Sequence, residues 1–153
     1  DNFFTPLGLR NYAYGWDRIE NVLWRIYHDE LDGFDAEKII ILIGTNNIPL
    51  NSNQEIIEGL RLVSKGVKAR QPKAKIYLMG ILPKRNYEKR IEKLNKKISS
   101  LANELSINYS NIGNVFLKLD DSQQINEKLF SDGLHPNNNG YKKMRKELLK
   151  ILN

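Results

Sequence analysis

The chain has 153 residues, 41% hydrophobic and 27% charged, with no cysteine and a net charge of +6. That length suits one domain with a sizeable core, and the composition is ordinary for a globular fold. The missing cysteine excludes disulfides and thiol catalysis, and no apolar run approaches the ~20 residues of a membrane-spanning helix, the longest being Ile39–Ile43.

In chain order, Leu7–Tyr12 reads as a first strand. Asp17 to about Leu31 predicts a helix: Ile19, Val22, Leu23, Ile26 and Tyr27 repeat at helical spacing, Asp17 offers a cap, and Gly33 ends it. Lys38–Ile43 (KIIILI) is a continuous β-branched run, as in a strand buried on both faces. Ser52-Asn-Gln-Glu55 fits a capping box, opening a helix that runs to about Arg70, before Pro72. Lys75–Met79 (KIYLM) predicts another buried strand. Asn86–Leu105 predicts a long helix with Ile91, Leu94, Ile98, Leu101 and Leu105 on one face. Asn114–Leu117 (NVFL) reads as a short strand. Asn139–Leu152 reads as a closing helix presenting Tyr141, Met144, Leu148, Leu149 and Leu152. Strands alternating with helices imply an α/β fold with a parallel sheet, whose functional groups gather on loops at the carboxyl ends of its strands.

The excess positive charge sits in Lys84–Lys97 and Lys142–Lys150. Both stretches read as solvated helix faces. They lack interleaved aromatics, and no nucleic-acid-binding motif accompanies them, so no nucleic-acid partner is expected. The sequence opens on Asp1-Asn2, without Met and without the basic and then apolar segment of a secretory leader. A processed or incomplete chain is therefore expected, and the compartment stays open.

Three loops carry candidate chemistry. Gly44-Thr45-Asn46-Asn47 follows the KIIILI run. An Asn side chain at that edge can donate an N–H to a developing oxyanion, although Gly and Asn are turn residues too. Asp132-Gly-Leu-His135-Pro136 places a carboxylate three residues before one of only two histidines. A general base needs an imidazole with an acid on its other ring nitrogen, and a turn can bring the two side by side. An ordinary surface turn before a helix explains the same residues equally well. Asn11–Asp17 leads into the first helix, where free N–H groups are available to an anion, or simply to a cap. No metal-ligand spacing links His28 or His135 to acids, and His28 falls within a predicted helix.

Taken together, IIILIGTNN and, about ninety residues later, DGLHPNNNGY resemble the SGNH (GDSL-type) serine hydrolase family. FFTPLGLRNYAYGWDRIENVLWRI and QPKAKIYLMGILPK are similar to its platelet-activating-factor acetylhydrolase branch and bacterial relatives. The resemblance implies a three-layer α/β/α sandwich with a flavodoxin-like sheet. It implies His135 as base, Asp132 as its orienting acid and Asn46 in the oxyanion hole. The family's glycine donor falls in register with Trp16, with Gly15 one step earlier; a backbone N–H does not require glycine, but the indole would wall the acyl pocket. The family's nucleophile lies in a Gly-Asp-Ser motif after the first strand, and no such motif occurs here.

The expectation is a single SGNH-like domain over residues 1–153, lacking its first strand and its nucleophile at the N-terminus. The intact protein would hydrolyse small acyl esters, acetyl foremost, of a carbohydrate or lipid-like alcohol, without metal or organic cofactor. A non-catalytic ligand-binding domain and an O-acyltransferase are the alternatives. The branch also suggests a homodimer.

Overall fold

A computed structural model describes residues 8–120 and 122–152. Seven regular elements follow one another: α1 (Ile19–Tyr27), β1 (Lys38–Ile41), α2 (Asn53–Arg70), β2 (Lys75–Met79), α3 (Glu88–Glu104), β3 (Asn108–Ser110) and α4 (Asn138–Leu152). Short 3-10 turns occupy Thr45–Asn47, Ile112–Phe116 and Glu127–Leu129. The strands form one parallel sheet in the order β1-β2-β3, with Lys38 opposite Lys75 and Tyr77 opposite Asn108. Helices flank it in a three-layer α/β/α arrangement. No helix among the described residues is long and apolar enough to cross a membrane.

Local chemistry explains most of these elements. The Ser52 hydroxyl accepts from the Glu55 N–H at 3.2 Å, and the Glu55 carboxylate accepts from the Ser52 N–H at 2.7 Å, so the capping box forms and α2 starts where its sequence says. On α3, Ile91, Leu94, Ile98 and Leu101 lie on one buried face. Burying each such side chain stabilises the fold by roughly 1.5–3 kcal/mol. They join Ile56, Leu60, Val63 and Val67 of α2, Ile19 and Ile26 of α1, and the sheet in the main core. A second, smaller core of Phe116, Ile125, Leu129 and Phe130, with Met144 of α4 against it, sits apart from the first.

Four expectations are corrected. The Asn114–Leu117 stretch is no strand: it falls in the 3-10 turn, closed by the Asn111 side chain accepting from the Gly113 N–H, and Phe116 turns into the small core. The third strand is the polar Asn108-Tyr-Ser110, whose Asn108 side chain donates to the Ile76 carbonyl at 3.0 Å. As an edge strand it needs no apolar alternation. Leu7 lies outside the described residues, and Gly8–Tyr12 is irregular. A strand needs a ladder partner, and among the described residues nothing pairs with the outer edge of β1. Asp17 does not cap α1; it pairs with Arg25, and Arg18 is the N-cap. Finally, Tyr141 is 55% exposed rather than part of the apolar face of α4.

Candidate active site

Two loops meet at the carboxyl end of β1, and a third joins them from below α4. The first is Gly44–Asn47. Gly44 turns sharply out of β1 with φ +115, a conformation open to glycine and strained for other residues. Its ideal Cβ would stand 3.0 Å from the Ile81 side chain, a tight contact that adds to the backbone's demand for glycine. Asn46 and Asn47 both reach the start of α1 from this turn. Asn46 Nδ2 donates to the Asp17 carbonyl at 2.9 Å, which leaves its second N–H for another acceptor. Asn47 is buried; its Oδ1 accepts from the Ile19 N–H at 2.9 Å, and its Nδ2 donates to Glu20 and Asn51. The cap of α1 thus comes from the loop after β1, and the Ile19 N–H is not available to an anion.

The second loop is Tyr14–Asp17. Trp16 takes φ +65, a left-handed conformation that favours glycine. Its side chain is 89% exposed. The turn is held by Arg25, which donates to Asp17 at 2.6 and 3.1 Å and to Glu30 at 3.1 Å, with the guanidinium over the Tyr14 ring at 4.6 Å. The Asp17 hydrogen bond is the main reason the Arg25 pKa is raised. Asn46 ties the first loop to this one through the Asp17 carbonyl.

The third loop runs from Phe130 to Pro136, which face each other in an isolated antiparallel bridge. Phe130 is rooted in the small core, packed against Phe116 at 5.3 Å between ring centroids. Asn137 closes the other side: it donates to the Lys128 carbonyl at 3.0 Å and accepts from the Gly140 N–H at 3.1 Å at the start of α4. Within the loop, Asp132 Oδ2 lies 2.7 Å from His135 Nδ1. An ionised carboxylate only accepts, so Nδ1 carries a proton, and in the neutral imidazole this leaves the lone pair on Nε2. Asp132 Oδ1 accepts from the His135 N–H at 2.7 Å and the Leu134 N–H at 2.9 Å. The backbone bond from His135 first, then its ring and the Leu134 N–H, hold the Asp132 carboxyl well below the usual carboxylate range.

His135 and Asn46 line the same cavity of about 200 Å³, with Thr45, Leu82, Pro83, Leu134 and Pro136. His135, with Asp132 behind it, and the Asn46 side chain therefore converge on one apolar-walled pocket. Gly15 and Trp16 do not line it; they stand beside it, linked through Asp17 and Asn46. Among the described residues no serine lines it either. His28 is elsewhere, stacked on Trp24 at 3.9 Å and bonded to the Trp24 carbonyl.

The wall formed by Leu82 and Pro83 has its own support, which sequence reasoning missed. Asn95, on the buried face of α3, accepts from the Ile81 N–H at 2.8 Å and donates to the Ile81 carbonyl at 2.9 Å. A polar residue between Leu94 and Ile98 on an apolar face was the available signal.

The GDSL-like lipase/acylhydrolase family profile matches residues 4–143. The chain belongs to that family. It is similar to the platelet-activating factor acetylhydrolase IB subunit alpha2 of Rattus norvegicus, 30% identical over 155 residues that cover 97% of this chain and 66% of the relative. The Homo sapiens protein of the same description is 30% identical over 159 residues, with the same coverage of each. This GDSL-like chain thus spans just under two thirds of the length of those relatives. In fold, it is similar to a GDSL-like lipase from Bacteroides thetaiotaomicron, with TM-score 0.84 and 19% identity over 99% of this chain and 78% of that one. It is also similar to the OSK domain of Drosophila Oskar, with TM-score 0.73 and 15% identity over 98% of this chain and 84% of that one.

Proposed function

We propose that these residues form the acid–base half of a serine esterase for small acyl esters, acetyl foremost, of a carbohydrate or lipid-like alcohol. The observation that carries the reading is the 2.7 Å contact between His135 Nδ1 and Asp132 Oδ2, with Asn46 lining the same pocket. In this reading residues 1–153 are the greater part of one domain, and a segment outside them contributes the nucleophilic serine. The outer edge of β1, without a partner among the described residues, suits a further strand there.

The chemistry follows from the placement. His135 Nε2 takes the proton of the serine hydroxyl as its oxygen bonds to the ester carbonyl carbon. The carbonyl oxygen becomes an oxyanion, held by the free N–H of Asn46, with the backbone N–H groups of Gly15 and Trp16, which stand beside the pocket, as the proposed further donors. Collapse breaks the bond to the alcohol, which leaves with the proton from His135. Water then repeats the sequence on the acyl-enzyme and releases the acid. The apolar rim of Leu82, Pro83, Leu134 and Pro136 favours a short acyl group.

In the full-length protein, His135→Ala should lower aryl-acetate turnover by orders of magnitude. Full activity in that variant would sink the assignment. Two points favour a second reading, a ligand-binding domain without turnover: among the described residues no serine lines the pocket, and the resemblance puts Trp16 in register with the family's glycine. Binding of a short ester by the full-length protein with no product formed selects it. Product analysis with and without a sugar acceptor separates hydrolysis from acyl transfer.

A further inference from the structure

The dyad loop is exposed: the His135 side chain is 66% and that of Asp132 53% accessible. Its internal hydrogen bonds fix the two side chains relative to each other, not relative to the pocket. What fixes the loop as a body lies outside it. The Arg85 N–H donates to the Gly133 carbonyl at 3.0 Å. Gly133, midway between Asp132 and His135, has φ +81, and the Arg85 guanidinium occupies the space its Cβ would take, 2.6 Å from Cζ and 2.7 Å from Nε. The guanidinium is itself forked onto Glu127, with Nε to Oε1 at 2.7 Å and Nη2 to Oε2 at 2.6 Å. Arg85 follows directly on the Pro83-Lys84 end of the pocket wall.

We infer that Arg85 is a positioning residue for the dyad: braced by Glu127, it clamps Gly133 and so sets where the Asp132–His135 loop stands against the Leu82–Pro83 wall. The inference rests on His135 acting as base. The Arg85 pKa is raised by the Glu127 hydrogen bond first, with the Asp132 charge adding to it. Single exposed ion pairs contribute little to global stability, whereas a planar fork fixes direction. The clamp is therefore a device of geometry. Lysine cannot replace it, because an ammonium makes no fork and offers no flat face to a glycine.

The test uses the full-length protein with Arg85→Ala, Arg85→Lys and Glu127→Gln, read two ways. One is aryl-acetate kinetics. The other is the ¹⁵N shifts of the His135 ring, which report the share of the Nδ1–H tautomer whether or not turnover occurs. Both Arg85 variants should lose about tenfold or more in kcat with KM within about twofold, and should move the ring shifts toward a tautomer mixture. Glu127→Gln should move both in the same direction and less. Wild-type kcat and wild-type ring shifts in Arg85→Ala overturn the clamp while leaving the dyad assignment intact. If His135→Ala proves fully active, the base assignment fails, and the ring shifts alone judge the clamp by the same rule. Should Arg85→Ala not fold, Arg85→Lys and Glu127→Gln decide on the same readouts. Gly133→Ala should also cost more in the wild-type background than with Arg85→Ala; equal costs overturn the direct contact.

Discussion

The two halves of the candidate site are built in opposite ways. The dyad half is made from bonds of short range: all three hydrogen bonds to the Asp132 carboxylate come from residues within three positions. The oxyanion half is made from bonds of long range, Asn46 to Asp17 across 29 positions, Asn47 to Ile19 across 28 and Asn95 to Ile81 across 14. The first half is a turn whose side-chain bonds lie within the four residues Asp132–His135. The second exists only once α1, β1 and α3 have packed. Mutations should therefore separate chemistry from stability in the first half and mix them in the second.

The largest effect is expected where the bonds are shortest in range. Asp132→Asn in the full-length protein should cost roughly three to four orders of magnitude in kcat, because an amide supports the wrong imidazole tautomer. The melting temperature should barely move, since the carboxylate is more than half exposed. A large fall in melting temperature would show that the loop is less self-contained than its hydrogen bonds indicate. Asn46→Ala should cost roughly a hundred- to a thousandfold in kcat through the lost oxyanion donor. A loss of only severalfold would assign the oxyanion to backbone donors alone.

Asn95→Leu should act first on stability. It orphans the N–H and the carbonyl of Ile81, each at about 1–3 kcal/mol, and chemical denaturation measures it. By loosening the Leu82–Pro83 wall it should also raise KM more than it lowers kcat. The smallest effect is expected at Trp16. Trp16→Gly relieves a left-handed backbone worth roughly 1–2 kcal/mol and adds about 0.5–1 kcal/mol of unfolded-state entropy cost, a net gain of about 0 to 1.5 kcal/mol. Urea unfolding checks the sign; because Trp16 is 89% exposed and does not line the pocket, acyl-chain preference should stay unchanged.

The legible parts of this molecule share a property. The Ser52–Glu55 box, the KIYLM strand, the apolar face of α3 and the Asp132–His135 spacing are each written within one turn or one pleat of chain, where backbone geometry leaves few choices. Asn46 was legible through its motif, but the hydrogen bond that ties it to Asp17 was not. The apolar NVFL stretch misled for the same physical reason. A short hydrophobic run is consistent with a strand or with a turn that drops one ring into a core, and the choice depends on whether a ladder edge or a cavity is waiting for it.

Polar side chains were hardest to read. Asp17 was a plausible cap, yet the guanidinium of Arg25 claims it. Asn47 looked like a turn residue, yet it caps a helix that begins 28 positions earlier. Arg85 read as one more solvated cation, yet its flat face fills the space beside Gly133. Fold class and much of the strand-and-helix rhythm follow from local periodicity, and the closeness of Asp132 to His135 follows from their spacing, while the roles proposed for them come from the family resemblance. The partner of each buried or clamped polar group follows from which chain segments packing brings within 3 Å or so of it, because a hydrogen bond needs proximity and direction that no local pattern encodes.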